Sequence, residues 1–111
     1  MKRFRKLLSE AGVGAGPFAR PTDAALEQAG SALAASDVVD VLDELDSLAR
    51  ERDTVPDWDG DTSDDIARWQ ETLTRLLAAS SGATRQALLS SIADREPQTR
   101  QYVEIVLGRR S

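Results

Sequence analysis

The stretch SDVVDVLDELDSLARER, residues 36–52, decides the fold class of this chain. Its apolar residues recur every three or four positions, which is the spacing of one face of an α-helix. Its acidic residues fall on the opposite face, so the stretch predicts an amphipathic helix that is capped by Ser36 or Asp37 and ends near Arg52. The apolar stripe comprises Val38, Val41, Leu42, Leu45, Leu48 and Ala49, and the polar stripe comprises Asp40, Asp43, Glu44, Ser47 and Glu51.

Helical periodicity also marks the sequence on both sides of this stretch. The predicted helices cover residues 1–11, 22–33, 36–52, 62–81, 84–93 and 97–107, with Thr22, Thr62 or Ser63, Gly82 and Pro97 as end signals. In the last segment, β-branched residues at 102–107 leave a strand as the alternative. The expected fold is all-α, a single small domain of about five or six short helices resembling a bundle.

The first sixteen residues have a composition of their own. Residues 1–11 combine four early basic side chains with Phe4 and Leu7 at helical spacing, and a glycine-rich stretch follows. We therefore expect a basic amphipathic helix and a hinge over 1–16, and the helical domain over 17–111. This helix either packs onto the core or lies on an anionic membrane or in a partner's groove.

The chain of 111 residues contains neither cysteine nor histidine. This composition removes disulfides and thiolate nucleophiles, together with the commonest general base and transition-metal ligand. No enzymatic activity, cofactor or metal is therefore expected. The basic start is followed by only Leu7 and Leu8 before Ser9, unlike a signal peptide, and apolar runs fall far short of the roughly 18 residues of a membrane span. The expected location is cytoplasmic.

The charges are distributed unevenly along the chain. Residues 36–65 hold twelve acidic and two basic residues, whereas the segments on both sides are mildly basic. Such a block is either a solvated face or an acidic surface that steers and selects a partner with a basic surface. The candidate partner-binding residues are Asp40, Asp43, Glu44, Glu51, Asp57, Trp58, Asp59 and Asp61.

Two acidic patterns suggest metal chemistry, and neither is complete. Residues 57–61 alternate aspartates as the first half of an EF-hand loop does, but Thr62 and Arg68 occupy the positions where that loop needs glycine and glutamate. Asp40, Asp43 and Glu44 loosely resemble the carboxylate helix of all-α nucleotide pyrophosphohydrolases. The following helix offers only Glu71 beyond its first turn, which leaves the second acidic motif of that family unmatched.

The leading functional prediction is a non-enzymatic protein–protein interaction module, an adaptor or an assembly subunit of a larger complex. One alternative is an acidic immunity or antitoxin-type inhibitor of a basic enzyme such as a nuclease. A second alternative is a helix-turn-helix DNA-binding regulator using residues 84–110, although the net charge of −5 disfavours nucleic acid. Self-association is also expected if the basic ends of one copy meet the acidic block of another.

Overall fold

A computed structural model describes the backbone of residues 2–110 and the side chains of residues 2–107. Within this range the chain forms six helices and no strand, which confirms the all-α fold. The helices are α1 (Arg3–Glu10), α2 (Asp23–Ser31), α3 (Ala35–Thr54), α4 (Gly60–Ala78), α5 (Gly82–Ser91) and α6 (Pro97–Arg110). The last segment is therefore a helix rather than a strand, and Pro97 begins it as predicted.

Helices α3 and α4 form the centre of the domain. Helix α3 packs against α1, α4, α5 and α6, and α4 packs against α2, α3, α5 and α6. The predicted apolar stripe of α3 lies in the core together with Leu73, Leu76 and Leu77 of α4, each of which is fully buried. Burying one such side chain contributes about 1.5–3 kcal/mol, so this pairing supplies much of the hydrophobic stabilisation.

Helix α1 is packed into the same core. Phe4 and Leu8 are fully buried, and Leu7 lies partly buried against the cluster. The turn after α1 contains Gly12, Gly14 and Gly16, whose φ angles of +84°, +82° and +80° favour glycine because other side chains are strained there. Between these glycines the buried Val13 ties the turn to the core. The boundary between residues 16 and 17 stays a prediction.

Two helices begin earlier than predicted. The N-terminal cap of α3 is Ala34, and Asp37 lies inside the first turn, where its carboxylate accepts a hydrogen bond from the Ala34 backbone N–H at 2.8 Å. The prediction of Ser36 or Asp37 as the cap is therefore wrong, because Asp37 satisfies the helix end from within the helix.

The start of α4 is also displaced from its prediction. Its cap is Asp59, which accepts hydrogen bonds from the backbone N–H of Thr62 at 3.3 Å and from its hydroxyl at 2.8 Å. Thr62 and Ser63 were predicted as caps because both are good capping residues, but the carboxylate of Asp59 takes that role first. The loop between α3 and α4 is shortened accordingly to residues 55–59.

Of the other end signals, Thr22 caps α2 as predicted, accepting a hydrogen bond from the Ala25 backbone N–H at 3.2 Å. Gly82 was predicted to close α4, but α4 ends at the C-terminal cap Ala79 and Gly82 begins α5. The φ angle of Gly82 is +59°, a backbone conformation that favours glycine, and this residue lies where the chain changes direction between α4 and α5.

Helices α2 and α4 approach each other closely at Gly30. A Cβ atom placed on Gly30 would lie 2.6 Å from the Cβ of Ala79 and 2.8 Å from its carbonyl carbon. Real Cβ atoms do not tolerate such distances, so α2 can occupy its position on α4 only with glycine at this site.

Gly30→Ala is expected to destabilise the fold. The alanine adds about 1 kcal/mol of helix propensity, but overpacking against Ala79 costs about 1–3 kcal/mol, leaving a net loss of up to about 2 kcal/mol. Urea unfolding followed by circular dichroism measures this difference. Gly60→Ala is the matched control, because no atom lies within 4 Å of its added Cβ. Equal stability of the two variants would contradict the close approach.

Candidate docking surface

The acidic side of α3 is partly covered by the basic helix α1. Lys2 pairs with Asp40 at 3.4 Å and Arg5 with Glu44 at 3.0 Å. Arg3 likewise pairs with Asp37. Two of the predicted partner-binding carboxylates, Asp40 and Glu44, therefore already have basic partners within the chain.

Arg5 links this charged layer to the core. Its guanidinium carbon lies 5.5 Å from the centroid of the Trp69 ring and 5.9 Å from that of Phe4, while its Nη2 donates to Glu44. A guanidinium this close to a ring face is attracted by the ring's electrons. Arg5 thus bridges the carboxylate on α3 and the aromatic side chains below it, which fixes the orientation of α1.

A second basic group binds the acidic side of α3 from the turn between α5 and α6. Arg95 Nη1 lies 2.5 Å from Asp43 and 3.1 Å from Asp46, and the backbone N–H of Glu96 donates to Asp46 at 3.1 Å. Glu96 in turn accepts a hydrogen bond from Arg50 at 3.3 Å. These contacts hold the turn before α6 against the middle of α3.

The Arg95 guanidinium is well shielded, with a side chain only 15% exposed. Burial by itself lowers the pKa of Arg95, but the hydrogen bonds and charges of Asp43 and Asp46 outweigh it, so its pKa is raised above the ordinary value. The group therefore keeps its positive charge, as the two facing carboxylates require.

Asp46 is the residue that the sequence analysis missed. It is 8% exposed and accepts hydrogen bonds from both Arg95 and Glu96, although it was not assigned to either face of the predicted helix. Its spacing of three residues from Asp43 places the two on neighbouring helical turns and was the available signal. Its basic partner Arg95 lies 49 positions away in the chain, and no local sequence pattern indicates a contact at that distance.

The remaining candidate residues lie at the junction of α3 and α4, here called the acidic corner and defined as Glu51, Asp57, Trp58, Asp59 and Asp61. Glu51, Asp57 and Asp61 are exposed and form no ion pair with a described residue. Asp59 is committed to capping α4. Trp58 is 84% exposed, so it lies outside the core rather than folding back onto it.

A buried polar network supports the acidic corner from below. Arg52 donates to Gln70 at 3.3 Å and to the Tyr102 hydroxyl at 2.7 Å, and Gln70 donates to Gln98 at 3.0 Å. Gln70 is 1% exposed, which makes these bonds difficult to replace with water. The network joins the end of α3 to α4 and α6, beside the loop of residues 55–59.

The corner also borders a polar cleft of about 440 Å³, lined by the loop and the beginnings of α4 and α6. Asp53, Asp57, Asp59 and Asp64 contribute carboxylates to its wall. Among the residues with described side chains, however, no group of three or more acidic residues is arranged to hold a metal ion. The cleft therefore gives no support to the half EF-hand pattern.

The segment proposed as a helix-turn-helix folds differently from that motif. Helices α5 and α6 each pack on α3 and α4, but no described Cα atoms of the two approach within 8 Å of each other. A helix-turn-helix requires its two helices to pack together so that one presents the other to DNA. Arg100 is exposed, and the side chains of Arg109 and Arg110 lie outside the described residues.

In the described part of the chain, no helix has both the length and the apolar character needed to cross a membrane. Comparison with protein-family models, curated proteins and solved structures found no match. The physical arrangement of the side chains is therefore what supports a functional proposal.

Arg95→Ala is expected to destabilise the protein by about 1–3 kcal/mol, because it leaves the shielded carboxylate of Asp46 beside Asp43 without a positive charge. Thermal and urea unfolding measure the loss. Arg68→Ala is the control, since Arg68 pairs with Asp65 at 3.8 Å in an exposed position. That change is expected to cost less than about 0.5 kcal/mol. Similar losses in both variants would contradict a special role for Arg95.

Proposed function

We propose that this protein is a protein–protein interaction module that binds a partner with a basic surface through the acidic corner. The proposal keeps the interaction function predicted from sequence but divides the acidic block into two parts with different tasks. The carboxylates along the middle of α3 hold α1 and the α5–α6 turn in place. The carboxylates at the junction of α3 and α4 are available to another molecule.

The observation that carries the proposal is the exposure of Trp58. Its side chain is 84% exposed in a loop flanked by Asp57 and Asp59. Tryptophan combines a large apolar surface with an N–H donor, and it is among the residues most enriched at the energetic centres of interfaces. An exposed tryptophan has few rotatable side-chain bonds, so it gains contact area on binding at little cost in conformational entropy.

The charges around Trp58 define the chemistry of the partner. Glu51, Asp57 and Asp61 are exposed and form no ion pair with a described residue, so their charges remain available to a partner. Unpaired acids of this kind accelerate association with a basic surface and repel acidic competitors, including nucleic acid. A basic protein surface is therefore the complementary partner.

The acids on the middle of α3 are less suited to this task. A partner that used Asp40 or Glu44 would have to displace Lys2 or Arg5, whose own helix is fixed by the buried Phe4 and Leu8. That exchange gains little, because one ion pair only replaces another. Binding at these positions stays a prediction, and the proposal does not depend on it.

An inhibitor of a basic enzyme such as a nuclease is the special case in which the partner's basic surface is an active site. The exposed carboxylates of Asp57 and Asp61 carry negative charge, as the phosphates of a nucleic acid substrate do. The helix-turn-helix alternative draws less support, since among the described residues no close approach joins α5 and α6.

The test begins with capture of partners from native lysate in the presence of nuclease, identification by mass spectrometry and reconstitution with the purified partner. Trp58→Ala is expected to weaken the affinity about tenfold or more, corresponding to loss of a binding hot spot. Asp57→Ser with Asp61→Ser is expected to slow association and reduce its salt dependence.

The matched control for the charge change is Asp94→Ser with Glu104→Ser, which removes two exposed acids outside the acidic corner. This control is expected to bind like the wild type. The proposal fails if no protein partner is recovered, or if the Trp58 variant and the control bind with equal affinity. Circular dichroism verifies that each variant is folded.

A further inference from the structure

An apolar groove of about 230 Å³ lies beside the acidic corner, between the C-terminal part of α3 and the first half of α4. Leu48, Ile66 and Trp69 line it together with Pro17 from the loop that follows α1. Phe18, the next residue in that loop, is 82% exposed. An exposed aromatic side chain therefore directly follows, in the chain, a residue that lines the groove.

The size of the groove limits what can occupy it. Sites for drug-sized molecules usually measure about 300–1,000 Å³, so a depression of about 230 Å³ is better suited to one bulky side chain. Interfaces use such depressions to receive an apolar anchor from the partner.

The charges at the groove define what must surround that anchor. Glu51 of α3 and Asp65 of α4 both line the groove, on its two different helices. Glu51 has no ion pair with a described residue, and Asp65 has only the 3.8 Å contact with the exposed Arg68. Asp61 lies four residues before Asp65, on the same side of α4, and extends the acidic margin toward Trp58.

We infer that this groove receives one bulky apolar side chain from a basic amphipathic segment of the partner protein, with flanking Arg or Lys side chains paired to Glu51 and Asp65. The inference deepens the proposed function and rests on it, because the same partner would cover Trp58 at the acidic corner. It adds the partner's chemistry: an apolar anchor with basic residues on both sides, rather than a uniformly basic surface.

The two tryptophans of the chain allow the two sites to be observed separately. The indole N–H of Trp58 reports on the acidic corner, and that of Trp69 reports on the groove. Spectra of the 111-residue chain are recorded by ¹H–¹⁵N correlation for the indole N–H groups and by ¹H–¹³C correlation for the methyl groups. The probe is a short alanine-based peptide that carries one leucine flanked by arginines. Two control peptides carry glutamate in place of the arginines, or alanine in place of the leucine.

With the leucine–arginine peptide, we expect saturable shifts of Trp69 and of the Leu48 and Ile66 methyl signals, weakened by added salt. Neither control peptide is expected to move these signals. Glu51→Lys combined with Asp65→Lys is expected to weaken peptide binding about tenfold or more through loss of charge complementarity. Phe18→Ser tests the apolar contribution without disturbing the core, and it is expected to weaken binding as well.

Asp94→Lys with Glu104→Lys is the charge-matched control and is expected to bind the peptide like the wild type. Shifts of Trp58 without shifts of Trp69, Leu48 or Ile66 would overturn the groove inference and leave the proposed function standing. Absence of all shifts would also overturn it, whereas the proposed function is judged separately by the captured partner. Binding that is equal in the charge-reversed variant and its control would overturn the assignment of the flanking charges.

Discussion

The structure depends on helix α3 being closed on both of its faces by other parts of the chain. Its apolar stripe packs into the core with α4, and its acidic side is bound by α1 and by the turn that precedes α6. Opening the apolar face would expose leucines and valines to water, and removing the bases from the acidic side would leave neighbouring carboxylates repelling one another. The positions of α1, α4, α5 and α6, each of which packs on α3, meet both requirements together.

The two kinds of contact contribute differently. Burial of the α3 stripe supplies most of the free energy, whereas an exposed ion pair such as Lys2–Asp40 contributes about 0–1 kcal/mol. The charged contacts specify where α1 and the α5–α6 turn must lie, because a shifted helix would place like charges together. Arg95 is expected to contribute more than the others, since among the described residues it is the one base that pairs with the shielded carboxylate of Asp46.

Periodicity in the sequence predicted the existence of the helices well, because burial of one face is a local pattern repeated along each segment. The ends of α3 and α4 were less predictable. In 59–63 several residues able to cap a helix stand in succession, and the choice among them depends on small differences in hydrogen-bond geometry. In 34–37 the cap is Ala34, which has no capping side chain, because Asp37 accepts a hydrogen bond from its backbone N–H from inside the first turn. The sequence also revealed the acidic block, whose charged side chains favour the protein surface.

Which acids are bound internally could not be read from the sequence. The bases that bind Asp37, Asp40, Asp43, Glu44 and Asp46 lie 34 to 52 positions away in the chain, and no local pattern records a contact at that distance. The position of Trp58 was equally open, since a tryptophan between aspartates is compatible with the core and with the surface. Only the packing of α3 on α4 places the loop so that this side chain is directed into solvent.

The order in which α3 acquires its partners has a consequence for synthesis on the ribosome. Lys2, Arg3 and Arg5 emerge before α3, so its first acidic turns find their bases as soon as the helix forms. Arg95 and α6 emerge after α3, α4 and α5, and until then Asp43 and Asp46 lack the arginine that pairs with them, while part of the α3 stripe remains uncovered. The nascent chain therefore completes its fold only after the turn before α6 has left the exit tunnel. Truncation before residue 95 would release a chain that exposes apolar surface of α3 and is prone to aggregation.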